Sequence, residues 1–213
     1  MVQEINRWGS SDVFPMFATL VWKVQLKPEL YEPMGAKLLA VLDELRRDAA
    51  PLAPGQGWQS VQTLHRRAEF AELVACIDSV AKSVLRFLRT GYDAFEITGC
   101  WANILAPGAA HPMHMHPNNF LSGVYYLRTS PGADTINFHD PRPQTALIRP
   151  PVVELTAENT DHVVVSVTNG TLLMFPSYLQ HSVDANGSEH ERVSLSFNLM
   201  FSAFAENVSK PQW

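Results

Sequence analysis

The sequence predicts an α+β domain, with a β-barrel-like core of short strands and helices packed on one face. Three observations predict it. Two stretches in the first ninety residues carry apolar side chains at helical spacing. After Gly91 the chain turns to short apolar runs separated by turn signals: PGAA, SPGA, DPRP, TNG and DANG. Many short strands at that spacing close into a sandwich or barrel, and the helices then cover a face of it.

The elements follow in order. Residues 16–26, MFATLVWKVQL, read as a strand. Residues 34–47 place Met34, Leu38, Val41, Leu42 and Leu45 on one helical face. The loop APLAPGQGWQS comes next, with a short strand near Val61. Residues 66–89 form the clearest helix, where Phe70, Leu73, Val74, Ile77, Val80, Ala81, Val84 and Leu85 make one stripe. Gly91 sits where a helix stop is expected. Strands are expected at 94–105, 121–128, 134–139, 144–155, 162–168, 171–175, 181–184 and 192–202. With no internal repeat or low-complexity linker, residues 1–213 are expected to form one domain. Residues 1–91 would be its helix-and-strand support region and 92–205 its core.

Composition narrows the function classes. The chain has 213 residues, 46% of them hydrophobic and 17% charged, as expected of a globular protein able to bury a core. A net charge of −5 and the lack of a basic run argue against a nucleic-acid partner. No apolar run approaches the ~18 residues that would span a bilayer. The opening MVQEINRWGSSD lacks the features of a signal peptide. Two cysteines, Cys76 and Cys100, make no disulfide framework. A cytoplasmic protein is the expectation, with a homodimer as the commonest assembly of such chains.

The segment APGAAHPMHMHPNNF crowds three histidines, His111, His114 and His116, into six residues. On an extended backbone, side chains at i and i+2 project to the same side. His114 and His116 thus form half of a metal site. His181, after a buried strand and a Pro-Ser-Tyr turn, is the candidate third ligand. Imidazole suits iron, zinc, copper and nickel, and three protein ligands leave positions open. His111 stands three residues before His114, a spacing that does not share that side. It is read as a neighbour or a substrate-pocket residue.

Arg192 and Ser194 follow in ERVSLSFNLMF, again at i and i+2. Arginine offers a planar fork that matches a carboxylate, and serine adds a hydroxyl donor. A carboxylate pocket beside a metal with open positions describes a 2-oxoglutarate site. The plainer alternative pairs Arg192 with Glu189 or Glu191 at the surface.

Five blocks now occur in order: HMHP at 114–117, SGVYYL at 122–127, DPR at 140–142, FPSYLQH at 175–181 and RVSLSFN at 192–198. In this the chain resembles the 2OG-Fe(II) oxygenase family of bacteria and phages, within the Fe(II)/2-oxoglutarate-dependent dioxygenase superfamily. The resemblance covers roughly half of the chain. It implies a double-stranded β-helix (jelly-roll, cupin-like) core and an enzyme using Fe(II), 2-oxoglutarate and O2. It also implies iron ligation by His114, His116 and His181, and cosubstrate binding by Arg192 and Ser194. Tyr126 matches a strand tyrosine that helps bind the carboxylate in prolyl hydroxylases. The stretch NILAPGA is similar to a cosubstrate-contacting segment of nucleic-acid dealkylating oxygenases; Asn103 keeps its asparagine, whereas Leu105 replaces its tyrosine.

One departure stands out. The superfamily usually carries a carboxylate where His116 stands, so the site is one negative charge poorer. His139, Asp140 and Arg142 end a strand and are candidates for substrate recognition, against the plainer reading of a turn with an Asp–Arg pair. The expected product is a hydroxylated small molecule or peptidyl residue.

Two other classes stay open at this stage. A cupin-type three-histidine metalloprotein, a dioxygenase or isomerase not using 2-oxoglutarate, would fit Gly108 before HMH, and Gly170, Pro176, His181 and Asn186 later. It would not need Arg192 and Ser194. A non-catalytic domain would need none of these residues.

Overall fold

The computed structural model describes residues 12–91, 94–142, 150–156 and 158–204. Among these, the chain runs β1 (Trp22–Gln25), α1 (Pro28–Leu45), β2 (Gly57–Gln59), two 3-10 turns (Leu64–Arg66 and Ala68–Phe70) and α2 (Ala71–Phe87). There follow β3 (Phe95–Leu105), β4 (His111–His114), β5 (Leu121–Arg128), β6 (Thr135–His139), β7 (His162–Ser166), β8 (Thr171–Pro176), β9 (His181–Val183) and β10 (Arg192–Phe201).

The strands make two antiparallel sheets, of order β1-β8-β5-β10-β3-β2 and β4-β9-β6-β7. Facing each other, they form the double-stranded β-helix. Both β1 and β2, from the first ninety residues, are strands of the larger sheet.

Alternation along β10 decides what the two faces of that sheet carry. Val193, Leu195, Phe197 and Leu199 point outward. They share one core with Met34, Leu38 and Leu42 of α1 and Leu73, Ile77 and Val84 of α2. Each such side chain contributes about 1.5–3 kcal/mol by leaving water. The helices therefore pack on the outer face, as expected. Arg192, Ser194, Ser196 and Asn198 alternate with these residues and turn inward. Between the sheets lies a second cluster of Val124, Tyr126, Ile136, Phe138, Leu173 and Phe175.

Two glycines fit these layers together. A Cβ on Gly123 of β5 would collide with the Phe197 ring and the Leu173 carbonyl. Gly170 has φ of +80°, and a Cβ there would strike the Tyr31 ring of α1.

Several boundaries differ from expectation for physical reasons. The strand expected over 16–26 is confined to β1. The strand expected near Val61 is β2, a few residues earlier. α1 begins six residues before Met34, with Pro28 in its first turn, where a missing N–H costs nothing. Pro33 lies inside α1, giving up one backbone hydrogen bond while the core contacts of Met34 and Leu38 hold the helix. The helix expected over 66–89 is two 3-10 turns followed by α2. Of the strand expected over 144–155, residues 144–149 lie outside the described residues, and 150–155 form no strand. Pro150 and Pro151 supply no N–H to a ladder there, and Val153 is fully exposed. Among the described residues, no helix is long and apolar enough to cross a membrane.

Candidate metal centre and anion pocket

β4 and β9 pair so that His114 stands directly opposite His181. His116 lies two residues beyond β4's end, its backbone N–H donating to the Ser177 carbonyl at 3.0 Å. The three rings converge, with centroids 4.3 Å apart for His114–His181, 5.1 Å for His114–His116 and 5.2 Å for His116–His181. One ligand nitrogen from each lies within 4.8 Å of the others.

Two of the rings are fixed by carbonyls. His114 Nδ1 is 2.8 Å from the Pro112 carbonyl, and His181 Nδ1 is 2.9 Å from that of Leu179. A carbonyl can only accept, so both Nδ1 atoms carry the proton and both Nε2 lone pairs are free. Phe175 packs on the His181 ring at 4.8 Å, and Trp101 lies 5.7 Å from that of His116. Burial lowers the His116 pKa to about 4, with the nearby His114 charge adding to it. Burial also lowers His181 to about 4, against the opposing bond to Leu179. Both are neutral near pH 7, the form that ligates metal.

The turn after the triad is built by asparagines. Asn118 takes a φ of +63°, a region that asparagine tolerates. Asn119 accepts from Thr98 Oγ1 at 2.6 Å and donates to the Pro117 carbonyl at 3.0 Å. The Ser177 hydroxyl donates to the Asn119 carbonyl, tying this turn to the strand end before His181.

The inner face of the larger sheet supplies the second half of the site. Ser194 stands opposite Asn103 of β3 on one side and Tyr126 of β5 on the other. Arg192, only 4% exposed, sets its guanidinium 5.2 Å from the Tyr126 ring centroid. The Arg192 Nε and the Tyr126 hydroxyl are both buried without a hydrogen-bond partner. Burial pushes the Tyr126 phenol up to about 12, while the Arg192 charge and the approach of its guanidinium N–H to the phenol pull the other way. Glu191, the surface partner that the sequence allowed for Arg192, is instead bound by both terminal nitrogens of Arg46 at 2.9–3.0 Å. A buried guanidinium whose Nε meets no acceptor is costly unless an anion arrives. The donor set thus fits a carboxylate, and the three free imidazole nitrogens fit a divalent metal.

Asn103 is buried and hydrogen-bonded at both ends. It accepts from Gln59 Nε2 at 2.8 Å and donates to Ser196 Oγ at 2.9 Å. Gln59 and Ser196 were not among the expected site residues. Ser196 could have been found by continuing the Arg192–Ser194 alternation, whereas Gln59 reaches the site through the pairing of β2 with β3. Leu105 is buried in the same strand.

His111 differs from expectation. The β4–β9 register is broken between His111 and His114, a bulge that leaves Pro112 and Met113 exposed and both histidines half-buried. His111 therefore shares the side of His114, their ring centroids 6.2 Å apart. Its pKa is lowered by burial first, then by the charges of His114 and Arg192.

His139, Asp140 and Arg142 gather elsewhere. Phe138 packs inward on Phe175 and His181, so His139 turns to the opposite face, its Nε2 2.9 Å from Ser182 Oγ. Arg142 clasps Asp140 through Nε and Nη2, which holds the Asp140 carboxyl below its usual range. With Asp161, His162 and Leu179, these residues line a cavity of about 730 Å³ that includes none of the three clustered histidines. His116 lines another cavity, of about 430 Å³, with Trp22, Met115, Phe120 and Tyr178.

Comparison with known proteins places this geometry. Residues 99–198, from β3 into β10, match the family described as "Putative 2OG-Fe(II) oxygenase". The match covers a little under half of the chain. No curated protein matches it in sequence. Among solved structures, the oxygenase is similar to a prolyl-4-hydroxylase of Pseudomonas putida, at 19% identity and a TM-score of 0.56, over 86% of this chain and 93% of that one. It is also similar to a prolyl hydroxylase of Trichoplax adhaerens solved with a hypoxia-inducible-factor peptide, at 15% identity and a TM-score of 0.60, over 84% and 83% of the two chains. A third is HygX of Streptomyces hygroscopicus, solved with nickel and 2-oxoglutarate, at 12% identity and a TM-score of 0.57, over 87% and 84%. At these identities the likeness speaks for the fold, the double-stranded β-helix. The matched family's description names Fe(II) and 2-oxoglutarate, and the cluster of His114, His116 and His181 could hold a metal ion.

Proposed function

We propose that the oxygenase hydroxylates a small-molecule or peptidyl substrate at an iron held by His114, His116 and His181. The observation that carries this reading is the buried guanidinium of Arg192, without a hydrogen-bonding partner at Nε, on the same inner face that leads to the histidine cluster. A cupin-type centre has no need of it. Asn186, the residue that approached the second cupin motif, is spent on the backbone carbonyls of Leu105 and His190.

Each residue then has a part. His114 and His181 offer Nε2 because their Nδ1 protons are held by carbonyls. His116 supplies the third nitrogen where a carboxylate is usual. Arg192, Ser194 and Tyr126 hold the distal carboxylate of 2-oxoglutarate, the arginine as a charged donor and the two hydroxyls as neutral ones. Asn103, locked between Gln59 and Ser196, keeps the Ser194 strand in place beside it. Phe175, Trp101 and Phe138 exclude water around the cluster. Iron and 2-oxoglutarate, with O2, supply the oxidising power for hydroxylation, releasing carbon dioxide and succinate. The apolar cavity beside His116 supports a substrate with an apolar portion. The two solved prolyl hydroxylases support a peptidyl one. His139, Asp140 and Arg142 have a place only if a large substrate reaches their cavity. Two free cysteines support a reducing compartment such as the cytoplasm.

The test is anaerobic. Fe(II) and then 2-oxoglutarate are added to metal-free protein, and the visible charge-transfer band of a chelated 2-oxo acid is followed. The band is expected in the wild type and weakened in Arg192→Ala. Iron binding without the band would sink the 2-oxoglutarate reading.

A further inference from the structure

We infer that His111 is a binding residue for the 2-oxo acid, a fourth imidazole standing beside the metal-ligand cluster. The inference rests on the proposed cosubstrate and adds a residue to its binding site.

Three observations carry it. The bulge in β4 turns His111 to the side of His114, with 6.2 Å between ring centroids. The charges of His114 and Arg192 both act on His111, after burial, in lowering its pKa. Third, its ring is uncommitted. His114 and His181 each spend Nδ1 on a backbone carbonyl, whereas among the described residues neither His111 nitrogen makes a hydrogen bond.

His111 is not positioned as a further metal ligand. The group whose nitrogens lie within 4.8 Å of one another is His114, His116 and His181 alone. An imidazole beside that group can instead donate one N–H to an oxygen of a bound dianion. The centre favours such a donor. Three histidines and no carboxylate make up the cluster, and Glu191, the nearest acid in sequence to Arg192, is turned to Arg46. Nothing negative within the cluster competes with the dianion for His111.

The test measures binding without turnover. Zinc-loaded wild type, His111→Ala and His111→Gln are titrated with 2-oxoglutarate by calorimetry, and their zinc content is measured. His111→Ala is expected to bind 2-oxoglutarate about tenfold more weakly, the effect of one charge-assisted hydrogen bond. His111→Gln, which keeps an N–H donor at similar reach, is expected to recover most of that loss, and all three should carry equal zinc. Should the alanine variant unfold by circular dichroism, His111→Phe, a ring without a donor, takes its place with the same expected loss. Unchanged 2-oxoglutarate binding in the alanine variant overturns the inference alone. So does a loss of zinc matching that of His114→Ala, which would make His111 a ligand. Wild type that binds zinc but no 2-oxoglutarate overturns the cosubstrate reading together with the inference.

Discussion

The guanidinium carbon of Arg192 lies 5.2 Å from the centroid of the Tyr126 ring, and both side chains are buried. The aromatic face offsets part of the cost of burying a charge. It leaves the hydrogen-bonding capacity of Nε and of the phenol unspent. Such a pair is stable as a receptor and costly as a mere core element, since an unsatisfied buried polar group costs about 1–3 kcal/mol.

Arg192→Ala is therefore expected to weaken 2-oxoglutarate binding to the metal-loaded protein by about 3 kcal/mol, roughly a hundredfold. Arg192→Lys should recover only part of this, because a point charge cannot reproduce a planar fork. Tyr126→Phe should cost about 1 kcal/mol. Calorimetry measures all three, and metal content should stay at the wild-type level throughout. An arginine variant that binds 2-oxoglutarate normally would remove Arg192 from the site.

The three histidines should fail together in metal binding. Single alanine variants at His114, His116 and His181 are each expected to lose at least ~10-fold in Fe(II) affinity, read by competition with a chromogenic chelator. His116→Asp restores the carboxylate usual at that place and should bind Fe(II) more tightly than His116→Ala. Because metal binds the folded state alone, chelation should lower the melting temperature of the loaded wild type and leave that of His181→Ala unmoved.

Much of this site was legible because strands alternate. In RVSLSFNLMF a period of two separates Arg192 and Ser194 from Val193 and Leu195 without any structure, and HMH places two imidazoles on one side. His114, His116 and His181 come together in one cluster, although His116 lies beyond the end of β4. The side that His111 faces was not legible because a bulge resets the alternation, and nothing in HPMH announces one. Gln59 was invisible because it reaches Asn103 only through the pairing of β2 with β3, a contact 44 residues apart in sequence. The stretch PPVVEL looked like the end of a strand, yet its prolines deny a ladder its donors. The early start of α1 was hidden by Pro33, which reads as a helix boundary but lies inside the helix.

Substitution at the tight sheet contact should be destructive without touching the site. Gly123→Ala forces a methyl into Phe197 and the Leu173 carbonyl, backbone that cannot give way cheaply. A loss of about 3 kcal/mol is expected from overpacking, seen as a lower denaturation midpoint with an unchanged slope. Gly170→Ala should lose a similar amount, since it adds a positive φ to a collision with Tyr31. Leu38→Ala, a deletion in the same outer core, gives the comparison at about 2–5 kcal/mol.

The two thiols should part in reactivity. Burial pushes Cys100 up to about 12, and it raises the half-buried Cys76 as well, helped by Glu72. The thiolate is the nucleophile, so a raised pKa leaves the thiol protonated and slow at pH 8. Cys76 is expected to react with an aromatic disulfide reagent more slowly than a free thiol, and to speed up as pH rises. Cys100, closed in the core between β3 and the helices, should react only when the chain unfolds. One thiol titrating in native buffer and two in denaturant is the expected count. Rapid native labelling of Cys100 would mean that the helical layer opens readily from the outer face of the sheet.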